Sequence, residues 1–201
     1  RRLAARAAAA GAGFVEGHRV TDLAELPAET VVVATDGYPS GLLGELEGLI
    51  VPTRGQVIAT EPLRERLFDL PHYGRHGFDY WHQTEDGRVV AGGFRDVALE
   101  GEFTDEEAVT DEVQAALERF VADLVGRELR VDHRWAGIFG LVLDFLPVVG
   151  EVPGSPGTWV AAGYSGHGNV LGFASGRLVA RAILGDRDPL LTLFEPKRLL
   201  G

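Results

Sequence analysis

The stretch with the clearest chemical potential is a glycine-rich turn between an apolar strand and a helix. Residues 158–170 read Thr-Trp-Val-Ala-Ala-Gly-Tyr-Ser-Gly-His-Gly-Asn-Val, so Gly163, Gly166 and Gly168 fall within six positions. Glycine has no Cβ, and such a turn can bend sharply and approach a large flat ligand closely. The unpaired N–H groups at the start of the following helix, predicted over 169–184, favour negative charge. This pattern predicts an anion-binding site.

Two other segments could bring polar groups to the same ligand. Thr35, Asp36 and Gly37 directly follow the buried, β-branched run 31–34. Ligands of open α/β sheets bind beyond the carboxyl ends of the strands, which predicts proximity to a cofactor, although an ordinary strand-to-loop turn explains these side chains equally well. Arg54 could face the ligand from a domain junction, or it could be a structural arginine.

A third set of candidates lies on the predicted strand 78–83. Alternation places Phe78, Tyr80 and His82 on one face of that strand. Tyr80 and His82 are therefore candidates for a substrate pocket. The alternative, that these aromatic side chains only pack between a sheet and a helix, stays open.

Several kinds of chemistry have no support in the sequence. The chain has no cysteine, which excludes disulfides, thiolate catalysis and a cysteinyl bond to flavin within it. Its six histidines show no metal-ligand spacing, and no Gly-x-Ser-x-Gly elbow or Walker loop occurs. The net charge of −11 argues against nucleic-acid and membrane partners. Without an apolar run of about 18 residues or a signal peptide, we expect a cytoplasmic protein.

The elements that would position these residues follow from periodicity and turn signals. An alanine-rich helix is expected over 3–10, and an amphipathic helix that begins with a capping-box-like sequence at 104–107 should end at Gly126. Asp86-Gly87 predicts a hairpin turn. Strands are expected over 14–20, 31–34, 56–60, 78–83, 88–92, 129–133 and 159–162.

The glycine-rich turn also resembles a known motif. Residues 161–168 are similar to the C-terminal flavin motif of the D-amino-acid oxidase-like flavoproteins, which include glycine, sarcosine and γ-glutamylputrescine oxidases. Further resemblances follow in that family's order and extend over nearly the whole chain. They lie at 31–38, 51–62, 80–93, 134–137 and 144–150.

The resemblance implies a mixed α/β fold with two domains. Residues 1–50 and 134–201 would form an incomplete, Rossmann-like FAD-binding domain, and residues 51–133 an antiparallel-sheet substrate domain backed by a helix. The sequence contains no Gly-x-Gly-x-x-Gly unit of the kind that holds the FAD pyrophosphate. We therefore expect the C-terminal part of a longer flavoprotein, or a shortened relative, with weak FAD affinity and the missing Rossmann segment as a partner.

The resemblance also assigns site residues, with FAD as cofactor and no metal. The FAD contacts it implies, together with the two positions after the first buried strand, are Thr35, Gly37, Gly163, Gly166, His167, Gly168 and Asn169. The substrate contacts are Tyr80, His82 and Phe139. Catalytic residues are not assigned.

The region after the Trp-Ala-Gly step bears on the substrate. Some amino-acid oxidases of the family carry an arginine there that clamps the substrate carboxylate. Residues 138–142 read Ile-Phe-Gly-Leu-Val and contain no arginine. This departure favours an amine or a larger, less charged substrate over a simple amino acid.

The implied activity is oxidation of a C–N bond. An FAD-dependent oxidoreductase of this kind would convert an amine or amino-acid derivative to an imine, with O2 as acceptor and H2O2 as product. The alternative is an inactive flavin-fold remnant that serves as a binding or assembly module.

Overall fold

Two β-sheets and three α-helices organise the chain in a computed structural model that describes residues 2–38 and 41–200. The helices are α1 (Arg2–Ala9), α2 (Asp111–Val125) and α3 (Gly168–Ile183). The strands are β1 (Val31–Val33), β2 (Val51–Pro62), β3 (His72–Gly74), β4 (Asp79–Gln83), β5 (Arg88–Gly93), β6 (Val131–Leu141), β7 (Val148–Glu151) and β8 (Thr158–Ala162).

The smaller sheet has three strands in the order β1-β8-β7. β1 runs parallel to β8, and β7 runs antiparallel to it. The central strand is buried on both faces, which explains its continuous apolar sequence. On one face Val160 packs with Val33 and Val148, and on the other Trp159 packs against Val179 of α3.

The larger sheet is antiparallel throughout, in the order β3-β4-β5-β2-β6. One face is covered by α2, where Ile58 and Val89 pack against Val113 and Leu117. The opposite face is open and faces the turn that leads into α3. The mixed α/β fold and the antiparallel sheet backed by a helix are thereby confirmed, whereas the domain boundaries at 51 and 133 stay predictions.

Two glycines mark the end of a helix and a hairpin turn where the sequence predicts them. The α2 helix ends at Gly126, whose φ of 76° is the left-handed conformation that glycine adopts without strain. The turn at Asp86-Gly87 joins β4 to β5, with Gly87 at a φ of 93°. Both predictions are confirmed.

Three predictions about elements are wrong. Residues 14–20 form no strand, and nearly all of their surface is exposed. The helix expected from 104–107 begins only at Asp111, because the Thr104 hydroxyl accepts a hydrogen bond from the N–H of Glu106 in a local turn. The strand expected over 129–133 instead spans Val131–Leu141, since it pairs with β2 from Val51 to Thr60.

Within residues 2–38 and 41–200, no helix combines the length and apolar character needed to cross a membrane.

Candidate active site

A cavity of about 620 Å³ lies between the open face of the larger sheet and the turn that precedes α3. The sheet contributes one wall, and Ser165, Gly166 and His167 contribute the opposite one. The volume falls within the roughly 300–1,000 Å³ that is typical of small-molecule sites. A ligand here would be held between two sheet-bearing parts of the molecule.

The sheet side of the cavity has a floor without side chains. Gly55 of β2 and Gly137 of β6 lie opposite each other in register, and both line the cavity. A Cβ at Gly137 would have no heavy atom within 4 Å, and one at Gly55 would lie 3.6 Å from Cε1 of Phe139. This pair leaves a smooth surface on which a planar ligand can rest.

The α3 side presents backbone donors. The N–H of Ser165 donates to the Gly140 carbonyl at 2.8 Å, and the Ser165 hydroxyl accepts from the N–H of Val142 at 3.2 Å. These bonds fix the turn on β6. Among the described residues, no group accepts from the N–H groups of Gly166, Gly168 and Asn169, and the His167 side chain does not cap the helix. These donors are available to a ligand.

Asp36 joins the turn to both sheets. Its Oδ1 accepts from the N–H groups of Gly163 at 2.9 Å and Tyr164 at 3.2 Å, and its Oδ2 accepts from the N–H of Gly140 at 3.1 Å. Asp36 itself has a φ of 47°, a conformation that aspartate tolerates better than most residues. The carboxylate therefore positions the turn rather than reaching the cavity.

Aromatic residues form a side wall. The Tyr80 ring lies across Gly92, its register partner on β5, and a Cβ at Gly92 would collide with it. Burial raises the pKa of the Tyr80 phenol, so its hydroxyl stays protonated at neutral pH and can donate a hydrogen bond. The Tyr73 and His167 rings have centroids 6.1 Å apart and bring β3 close to the α3 turn.

Arg95 is a cavity residue that the sequence analysis missed. Its Cζ lies 4.2 Å from the centroid of the Phe78 ring and 5.8 Å from that of Phe139. Within the described part of the chain, its side chain makes one hydrogen bond, to the Gly77 carbonyl, which is long at 3.4 Å. The sequence offered no signal for it, because its position depends on the left-handed φ of 58° at Phe94, which turns the chain after the end of β5.

Arg54 lies on the other face of the sheet. Its side chain pairs with Glu102 at 2.7 Å, and Gln56 donates to the same carboxylate at 3.0 Å. The expectation that Arg54 faces the ligand is therefore wrong, because alternation along β2 points it away from Gly55 and towards α2. The structural alternative is the correct one.

The structure brings five of the sequence-predicted site residues together around the cavity. They are Tyr80, His82, Phe139, Gly166 and His167. The other five do not line it. Thr35 is exposed, whereas a Cβ at Gly37 would lie 2.8 Å from the carbonyl carbon of Phe139. Their roles towards FAD stay predictions.

Three of those five belong to the turn itself. A Cβ at Gly163 would lie 2.5 Å from Val142 Cγ2, and one at Gly168 would lie 3.3 Å from the Tyr164 ring, so both glycines allow close packing. Asn169 is exposed at the start of α3. Of these three residues, Gly163 donates its N–H to Asp36, whereas the N–H groups of Gly168 and Asn169 have no acceptor among the described residues.

Named relatives match most of this chain. The matched part is less than half of each relative's own length. The chain is 30% identical over 179 residues to the probable oxidoreductase OrdL of Haemophilus influenzae, covering 83% of this chain and 38% of that protein. It is 30% identical over 172 residues to the gamma-glutamylputrescine oxidoreductase of Escherichia coli (82% and 38%). It is 29% identical over 184 residues to the glycine oxidase of Pseudomonas aeruginosa (88% and 48%).

Solved structures share the fold. The iminodiacetate oxidase of Chelativorans sp. BNC1 is 22% identical with a TM-score of 0.69, covering 85% of this chain and 47% of that one. The L-proline dehydrogenase of P. horikoshii is also 22% identical, with a TM-score of 0.68 and coverages of 85% and 46%. The family model described as FAD dependent oxidoreductase matches residues 1–182. The chain therefore belongs to the DAO family of FAD-dependent oxidoreductases.

Proposed function

We propose that the cavity holds the isoalloxazine ring of FAD beside the substrate, and that the protein oxidises a C–N bond of an amine or amino-acid derivative. The observation that carries this proposal is the pairing of a side-chain-free floor at Gly55 and Gly137 with open N–H donors at the start of α3. A flat ring with an electron-rich edge suits both features. The family match over 182 of 201 residues supports FAD as that ring.

The residues that would hold the ring are the donors at Gly166, Gly168 and Asn169. Their N–H groups and the positive end of the helix dipole favour negative charge at the ring edge that they face. Bound FAD would supply the two-electron oxidation, in which the amine becomes an imine, and reoxidation by O2 would give H2O2. The word "oxidase" in the names of the glycine and iminodiacetate oxidases supports O2 as acceptor.

The side chains of the wall orient the substrate and exclude water. Tyr80 is held flat against Gly92, and its neutral hydroxyl can donate to a polar group of the substrate. Phe139 and His82 complete the proposed substrate contacts around the same space. The relatives' names, which include glycine and gamma-glutamylputrescine, support an amine or amino-acid substrate class.

We also propose that a Rossmann-type segment with a Gly-x-Gly-x-x-Gly turn completes the FAD site. The residues described here contain no such unit for the pyrophosphate, and the chain spans less than half of the relatives' length. Five large apolar side chains on β1, in the segment between β6 and β7, and on α3 are exposed, which would suit packing by a further segment. They are Val32, Leu143, Phe145, Val170 and Phe173.

The test is spectroscopic. The chain, supplied with a Rossmann-type segment of the kind proposed above, is titrated with FAD under anaerobic conditions, and the flavin absorption is followed after addition of glycine, L-proline, iminodiacetate or γ-glutamylputrescine. We expect at least one of these to bleach the flavin in the presence of the chain. Gly137→Leu is the matched variant, since it fills the floor at a position where the new side chain meets open space. Free FAD that keeps its spectrum at saturating protein, with every amine, would contradict the proposal and favour the binding-module alternative.

A further inference from the structure

We infer that Arg95 is the anion-recognising residue of the cavity, and that the substrate carries a carboxylate which this guanidinium binds. The inference rests on the proposed function, because it names a feature of the substrate that the same cavity would take. It differs from the expectation, based on residues 138–142 alone, of a substrate with little charge.

The first observation is that Arg95 has no counter-ion. Within residues 2–38 and 41–200, no carboxylate lies within 4.0 Å of its nitrogens, whereas most of the other arginines around the larger sheet are paired. Its sequence neighbour Asp96 is bound to Arg75 at 2.6 Å. A positive charge that is partly removed from water without a partner is costly, so a ligand anion would relieve that cost.

The second observation is how the guanidinium is held. It lies over the Phe78 ring at 4.2 Å and reaches towards Phe139 at 5.8 Å. Contacts with aromatic faces orient the arginine, and apart from the long bond to the Gly77 carbonyl its N–H donors have no partner among the described residues. That fork is shaped for two-pronged binding of a carboxylate.

The third observation is the place that Arg95 reaches. Arg95 follows the end of β5 and reaches towards the Phe139 ring of β6, within the run 138–142 that contains no arginine of its own. The cation is therefore supplied by the turn that follows β5. Tyr80 lies nearby as a second donor, and the Arg95 charge partly offsets the effect of burial on the pKa of that phenol.

The inference is tested with the chain itself and a pair of matched probes, phenylacetate and phenylacetamide. Trp81 and Trp135 both line the cavity, so binding can be followed by the change in tryptophan fluorescence. We expect the wild-type chain to bind phenylacetate at least tenfold more tightly than phenylacetamide. Arg95→Met should remove that preference by weakening phenylacetate at least tenfold while leaving phenylacetamide nearly unchanged, and Arg95→Lys should be intermediate because it keeps the charge without the fork.

The matched control is Arg119→Met, which removes the same charge from an exposed position on α2, across the sheet. It should bind both probes as the wild type does. Equal binding of the two probes to the wild-type chain, binding of neither, or an unchanged preference in Arg95→Met would overturn the inference.

This test separates the inference from the function on which it rests. If amines bleach the flavin but the chain shows no preference for phenylacetate over phenylacetamide, the role of Arg95 is refuted and the oxidoreductase proposal stays in place. A carboxylate preference that depends on Arg95, in a chain that does not respond to FAD even when the Rossmann-type segment is supplied, would refute the oxidoreductase proposal and leave the anion site in place.

Discussion

Two arginines on opposite faces of the larger sheet show how differently the same side chain is used. Arg54 is 4% exposed and bonded to Glu102, which is itself 1% exposed, and Gln56 shares the same carboxylate. Arg95 lies on the cavity side and has aromatic rings for neighbours but no carboxylate within the described residues. The first arrangement is complete without a ligand. The second has no ion-pair partner among the described residues, which supports the proposal that a ligand binds at the open face.

The glycines repeat this contrast. Gly163 and Gly166 both have positive φ, of 72° and 89°. A Cβ at Gly163 would meet Val142, whereas one at Gly166 would have no heavy atom within 4 Å. Both glycines allow the backbone to bend, but only Gly163 is packed against a neighbouring side chain. Changes on the closed side should therefore cost stability, and changes on the open side should cost binding.

The largest effect is expected from Glu102→Ala. Removing this carboxylate leaves the Arg54 charge buried without a partner, which should lower the free energy of unfolding by about 3–5 kcal/mol. Urea denaturation followed by circular dichroism measures the loss. Glu100→Ala, at an exposed position two residues away, is the control and should change little. A loss below about 1 kcal/mol for Glu102→Ala would show that the pair is not a structural requirement.

A smaller loss is expected from Gly163→Ala. The new Cβ would lie 2.5 Å from Val142 Cγ2 at a φ of 72°, so overpacking and backbone strain together should cost about 2–4 kcal/mol. Gly166→Ala bears only the backbone strain and should cost about 1–2 kcal/mol. Thermal or urea unfolding of the two variants side by side gives the comparison. Equal losses would mean that packing against Val142 is not what Gly163 provides.

Arg95→Met should leave the free energy of unfolding within about 1 kcal/mol of the wild type, because it removes no ion pair and keeps an apolar stem on the Phe78 ring. Arg54→Met, with the same exchange on the closed face, should be strongly destabilising, since Glu102 then loses its cation. Parallel urea titrations measure both. Similar losses of unfolding free energy in the two variants would show that the two faces of the larger sheet do not differ in this way.

The smallest effect on stability is expected from the ion pair between Asp144 and Arg198, and it depends on pH. The Arg198 guanidinium, 2.8 Å from Asp144, holds the pKa of that carboxyl below its usual range. Because the folded-state pKa is lowered, the pair stabilises the fold above the ordinary aspartate pKa of about 4, and this contribution is lost as the pH falls through the lower folded value. Asp144→Asn should cost under about 1 kcal/mol near neutral pH.

The same variant should lose less stability than the wild type on acidification, and urea midpoints at a series of pH values would show this. A wild type and variant whose midpoints fall in parallel with pH would contradict the role given to Asp144.

Features that depend on local chemistry could be predicted from the sequence. The strand and helix around the 163–168 turn, the hairpin at Asp86-Gly87 and the stop at Gly126 follow from glycine conformations and apolar periodicity, which need no knowledge of distant residues. The length of β6 could not be predicted, because its continuation to Leu141 depends on pairing with β2.

The candidate site divides in the same way. Tyr80 and His82 could be assigned to one face by alternation, and the turn at Gly166 and His167 by its glycines. Arg95 could not be found, since its importance arises from what surrounds it: rings from β4 and β6 and no carboxylate among the described residues. Arg54 was ambiguous for the same reason, as Glu102 is distant from it in sequence.

The most direct test of the central claim is an amide NMR titration of the labelled chain with lumiflavin, the flavin ring without ribityl phosphate or adenosine. The account predicts saturable shifts of the Gly166, Gly168 and Asn169 amide signals, unmoved signals at the far end of α2 such as Gly126, and loss of the response in Gly137→Leu. Unmoved signals at Gly166, Gly168 and Asn169 up to the solubility limit of lumiflavin would contradict it.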